Sequence, residues 1–145
     1  MRPHRAFRAP FIALFAALFL ASSSACSHGD ALDPVVGTWL ATTFQVSPFG
    51  QGPTNVLTSG GTLGFNVATN FVTTGTLIIP AALAGGTTFT ASMAGTAVRT
   101  GNTVRFTQSA DTFMRDLTFT LNENRLEALN QTVSGTRYDV ILTRQ

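Results

Sequence analysis

Threonine placement constrains this chain more than any other feature: all 23 threonines lie at Thr38 or later, interleaved with Val, Ile, Leu and Phe. β-Branched side chains at that density fit a pleated, half-buried surface. The runs also alternate. Leu63, Phe65 and Val67 stand against Thr62, Gly64 and Asn66, and Phe89, Ala91 and Met93 against Thr88, Thr90 and Ser92. A period of two sends one set to a buried face and the other to water, which is the pattern of an antiparallel sheet with one solvated side.

Turn residues cut the alternation into eight or nine short strands: Val35–Val46, Asn55–Thr58, Thr62–Val67, Phe71–Ile79, Thr87–Val98, Thr103–Thr107, Thr112–Leu121, Arg125–Val133 and Arg137–Arg144. The breaks are Ser47–Pro53 with two prolines and two glycines, Gly60-Gly61, Pro80, Gly101-Asn102, Asn122–Asn124 and Ser134-Gly135. Pro80–Gly86, the only Ala/Leu-rich stretch after Cys26, reads as one helical turn or as a lid over a barrel mouth. Val104 and Phe106 are expected inward, as are Phe113, Leu117, Phe119 and Leu121. A meander of this length leaves exposed edges unless it closes, so the expected fold is all-β: a small antiparallel up-and-down β-barrel of about eight strands over residues 35–145. At that strand number the interior is just wide enough for side chains or one small ligand.

Ahead of the threonine-rich region the sequence changes character. Residues 1–25 hold Arg2, Arg5 and Arg8, then an apolar run from Phe11 to Ala21, then Ser22-Ser23-Ser24-Ala25. A basic start, an apolar middle and small residues before a cut are the layout of a secretory signal peptide. The apolar run falls short of the roughly 20 residues that cross a hydrocarbon core. Its removal reverses the charge. The whole chain is +2, but from Cys26 onward six arginines face seven acids, a net of −1. Those arginines are dispersed singly and lysine is absent, so nucleic acid is not an expected partner.

Cys26 follows Ser24-Ala25 directly, an arrangement that resembles the lipobox of bacterial lipoproteins, although Ser23 stands where that motif has leucine. The resemblance implies a lipidated Cys26, residues 26–34 as a tether, and attachment at the outer membrane or its periplasmic face, with Ser27 matching outer-membrane sorting. As the chain's single cysteine it has no intramolecular disulfide partner, which fits lipidation better than an idle thiol in an oxidising compartment. Signal peptidase of the ordinary kind also accepts Ser23-Ser24-Ala25, leaving a soluble secreted protein as the alternative. A membrane-spanning barrel is disfavoured: such barrels need aromatic girdles, and the chain has one Trp and one Tyr.

At the start of the first strand, Gly37-Thr38-Trp39 resembles the Gly-x-Trp signature that opens lipocalins and smaller lipocalin-like domains. The resemblance implies that Trp39 closes one barrel end and that an arginine near the end of the last strand packs across its ring. Arg144 stands in that place, because alternation along Tyr138–Arg144 puts Tyr138, Val140, Leu142 and Arg144 on one face. The likeness spans about Val35 to Arg144. The helix and cysteine pair of larger lipocalins are missing, which matches the compact lipocalin-like domains of bacterial envelope proteins.

Little chemistry is available for catalysis. His28 sits in the tether, and Asp111, Asp116, Asp139, Glu123 and Glu127 are scattered at turns or on polar faces. Arg115-Asp116 and Arg137-Tyr138-Asp139 read as cross-strand charge pairs. No enzyme activity, metal or cofactor is expected. Two readings remain. In one, Leu63, Phe65, Phe89, Met93, Phe106, Phe113, Leu117 and Phe119 line the barrel interior and take up a small apolar molecule. In the other, the same residues fill the barrel completely, and the domain is a structural or interaction module of the envelope.

Overall fold

In the described residues, alternation of apolar residues with threonine produces ten strands, all paired antiparallel: β1 (Gly37–Pro48), β2 (Thr54–Asn55), β3 (Thr62–Val67), β4 (Val72–Ile79), β5 (Phe89–Ser92), β6 (Gly95–Thr100), β7 (Thr103–Gln108), β8 (Thr118–Asn122), β9 (Arg125–Val133) and β10 (Thr136–Arg144). The structure, a computed structural model, describes residues 31–145; the expected signal peptide, Cys26 and His28 lie outside the described residues.

Eight strand positions close into a barrel. The ring runs β1, β3, β4, the β5–β6 arm, β7, β8, β9 and β10, and it shuts where β10 pairs β1 from Trp39↔Arg144 to Pro48↔Thr136. β2 is an annex on β1 through Gln45↔Asn55 and Val46↔Thr54. β5 and β6 keep one register along β4, from Ile79↔Phe89 to Val72↔Thr96, with a break at Met93-Ala94. Gly95 follows that break because a Cβ there would sit 1.7 Å from the Thr107 carbonyl oxygen, so only glycine lets β6 approach β7 this closely.

Two bulges bend the seam strands. Thr42 is the extra residue of β1 against β10 and shares a 3.1 Å hydroxyl hydrogen bond with Thr143. In β9 the bulge falls at Leu129-Asn130, where Asn130 takes a left-handed φ of 53° and its N–H donates to the Asp139 carboxylate at 2.7 Å. β9 there leaves the β8 ladder, and the Gln131 side-chain amide replaces it, accepting from Thr118 N–H at 2.8 Å and donating to the Thr118 carbonyl.

Side chains fill the interior. Leu63, Phe65, Met93, Phe106, Leu117 and Phe119 are buried in one core with Phe44, Leu77, Leu126 and Leu142. Phe65 meets Phe106 edge to face at 4.5 Å and Phe106 meets Phe119 the same way at 5.5 Å. Each such ring contributes about 1.5–3 kcal/mol through burial, and each edge-to-face pair about 0.5–1.5 kcal/mol more.

Several local expectations need correction. β1 continues through Ser47 and Pro48, which pair with Arg137 and Thr136; Pro48 is tolerated because it ends the strand. The expected strand Asn55–Thr58 stops at Asn55, whose carboxamide oxygen accepts from Leu57 N–H at 3.0 Å and pulls the chain into a turn. Thr112–Leu121 is not one strand. Phe113–Arg115 form a 3-10 turn, Leu117 N–H donates to the Phe113 carbonyl, and Met114 is fully buried. The charge pairs are local, not cross-strand. Arg115 meets Asp111 and Asp116 around that turn, and Arg137 meets Asp139 two residues on, where one strand face carries both. Phe89, expected inward, is 41% exposed at the barrel mouth.

Candidate functional site

The two barrel ends differ. One is shut by Gly37, Trp39 and Arg144. Trp39 is fully buried, its indole N–H donating to the Val35 carbonyl at 2.8 Å, and the Arg144 guanidinium carbon lies 5.0 Å from the ring centroid. A buried indole requires that hydrogen bond, and an arginine on an apolar strand face gains an aromatic surface to stack on. Gly37 has φ of 140° and lies beneath the arginine, its missing Cβ 3.8 Å from Arg144 Cδ. Asp33 clasps the same end: one carboxylate oxygen accepts from Val35 N–H at 2.9 Å and the other from Arg99 at 3.0 Å.

The opposite end is open. Strand direction alternates, so β10 begins where β4 and β9 finish, and their ends surround a cleft of about 480 Å³. Ile79, Leu83, Phe89, Phe113, Val133 and Tyr138 form its apolar wall; Asp111, Thr112, Asp116, Ser134 and Thr136 form its polar wall. The volume lies in the range of small-molecule sites, about 300–1,000 Å³. Phe113 lies flat on Tyr138, ring centroids 4.2 Å apart and planes 9° from parallel, and tilts against Phe44 at 5.6 Å. Burial pushes the Tyr138 hydroxyl above its ordinary pKa, partly offset by a hydrogen bond with the Thr136 side chain. Thr112 donates to the Gln108 side chain at 2.9 Å, fixing the start of the turn that presents Phe113.

Of the eight residues expected to contact a ligand, Phe89 and Phe113 line this cleft. Leu63, Phe65, Met93, Phe106, Leu117 and Phe119 do not, being packed against one another in the core. The cleft's remaining walls come from residues not expected to contact a ligand, chiefly Ile79, Leu83, Tyr138, Asp111 and Asp116. One signal pointed there: the Ala/Leu-rich Pro80–Gly86 segment forms a compact turn, Ala84 N–H donating to the Pro80 carbonyl, with Leu83 and Ala84 on the cleft.

A larger hollow of about 620 Å³ lies at the shut end, between Pro34, Arg99, Leu121, Arg125 and Glu127. Both of its arginines are already paired, Arg99 with Asp33 and Arg125 with Glu127 at 3.3 Å, Glu123 also stands on its rim, and among the described residues no aromatic side chain lines it. The open mouth is therefore the better site. Among the described residues, no three His, Cys, Asp or Glu side chains converge as a metal site would require. Comparison of the chain with known protein families, curated proteins and solved structures finds no match.

Proposed function

We propose that this protein is an exported, lipid-anchored, lipocalin-like barrel that holds a small hydrophobic molecule at its open mouth and carries out no chemistry on it. The mouth cleft carries the reading. A concave, aromatic-walled space with a few polar groups on one side is the usual form of a small-molecule site. Support for the lipocalin-like assignment comes from the closed eight-strand ring and from Trp39 under Arg144 at the far end. The packed interior moves the binding surface from the barrel lumen to the rim.

That same packing favours a second reading, a non-catalytic interaction module whose barrel is only a scaffold. Native mass spectrometry of the protein purified from its own envelope separates the two. Binding predicts a retained small molecule that is lost on Phe113→Ala substitution. The bare protein mass, together with no amide shift at Phe89, Phe113 or Tyr138 on titration with 2-naphthylmethanol, would leave the scaffold reading standing alone.

A further inference from the structure

We infer that the mouth cleft selects a hydrophobic cation: a flat or short apolar body carrying an amine. The inference rests on the proposed small-molecule role of the mouth and specifies its ligand class. Among the described residues, the charged side chains lining the cleft are Asp111 and Asp116, both carboxylates. Arg115 contacts both, Asp111 at 2.6 Å and Asp116 at 3.7 Å, but it is not part of the lining. Two carboxylates against one guanidinium leave one negative charge at the rim. Asp111 already accepts from Arg115, whereas Asp116, 3.7 Å from that guanidinium and 48% exposed at the side chain, keeps hydrogen-bonding capacity to spare.

The opposite wall is aromatic and apolar. Phe89 is partly exposed and the Phe113–Tyr138 stack is half-buried, so an apolar ligand body can displace water from them. An amine leaving the ring wall therefore meets a carboxylate instead of bulk water alone. An anionic ligand of the same shape meets like charge at the rim.

Three naphthalene derivatives of one shape test this: 2-naphthylmethylamine, 2-naphthylmethanol and 2-naphthoic acid, which are cationic, neutral and anionic at neutral pH. The full exported protein is titrated with each, followed by probe fluorescence anisotropy. The amine is expected to bind about five- to tenfold more tightly than the alcohol, and the acid more weakly than either. In an Asp111→Asn/Asp116→Asn double variant the amine's advantage disappears while alcohol binding persists. Phe113→Ala weakens all three together. Equal affinity for amine and alcohol in the unmodified protein overturns the cation preference and leaves the small-molecule reading intact. Failure of all three to bind overturns that reading as well. An advantage for the amine that survives in the double variant shows that the carboxylates are not its source and overturns the inference.

Discussion

Arg144 lies across the indole of Trp39 and is also its partner in the ladder that closes the barrel, so one residue pair both seals the end and fixes the register of the seam. Among the described residues, its Nε and one terminal nitrogen are buried without hydrogen-bond partners, leaving the ring face as their main compensation. Arg144→Ala is expected to cost about 1–2 kcal/mol through lost stacking and lost packing of the aliphatic stem. Arg144→Lys should recover only part, because the planar fork is what lies flat on the ring. Urea unfolding followed by the single tryptophan reads both; an Ala variant as stable as the parent would show the stack to be idle.

Gly37 tests the same end from the backbone side. A side chain has room, since the nearest atoms to a built Cβ are 3.8 Å away, so any loss on Gly37→Ala reports the φ of 140° alone. About 1–3 kcal/mol is expected, measured by thermal unfolding.

The packed interior and the open mouth separate in paired substitutions. Phe106 sits between Phe65 and Phe119, and Phe106→Ala is expected to destabilise by about 3–5 kcal/mol. Phe89→Ala, at a partly exposed rim position, should cost less than about 1 kcal/mol and act mainly on ligand affinity. Equal losses would mean that Phe89 belongs to the core.

Tyr138 is the chain's one tyrosine, so phenolate absorbance titrates it without interference. Its folded pKa is raised from 10.0, mainly by burial, with the Thr136 hydrogen bond opposing. The folded state therefore holds the phenol proton more tightly than the unfolded state. That contribution is fully present below the unfolded pKa and is lost as pH rises through the folded value. The titration midpoint is expected above 10 in the native protein and to fall towards the ordinary value in urea. Neutral 2-naphthylmethanol seated on the Phe113–Tyr138 stack should raise it further by excluding water.

Cys26→Ser tests the anchor independently of the barrel. The variant is expected to leave the membrane fraction while its unfolding midpoint is unchanged. Continued membrane partitioning would remove the lipid-anchor reading.

The alternation pattern made the ring and the inward faces legible because these depend on period-two geometry that a strand cannot evade, whereas the Trp39–Arg144 pairing was implied by the Gly-x-Trp resemblance, alternation only placing Arg144 on the inward face. It misled at Thr112–Leu121. Arg115 falls on the apolar face of a strand drawn there and Met114 on the polar one, a mismatch that the 3-10 turn resolves by burying Met114. The cleft was harder to read for a different reason. Its walls come from the turn at Pro80–Gly86, the 3-10 turn and the Val133–Thr136 hairpin, none adjacent in sequence, and only barrel closure brings them together.

Closure also has a consequence in time. β1 and β10 are the first and last strands of the described residues, so the seam joins parts of the chain about as far apart in sequence as the barrel allows, and such contacts are slow to form. Until then both strands carry open edges, and Trp39 has no arginine over it. Refolding watched through Trp39 is expected to trail the appearance of strand signal, with the lag lengthened by Arg144→Ala. The barrel's most vulnerable interval would then be the one before its two ends meet.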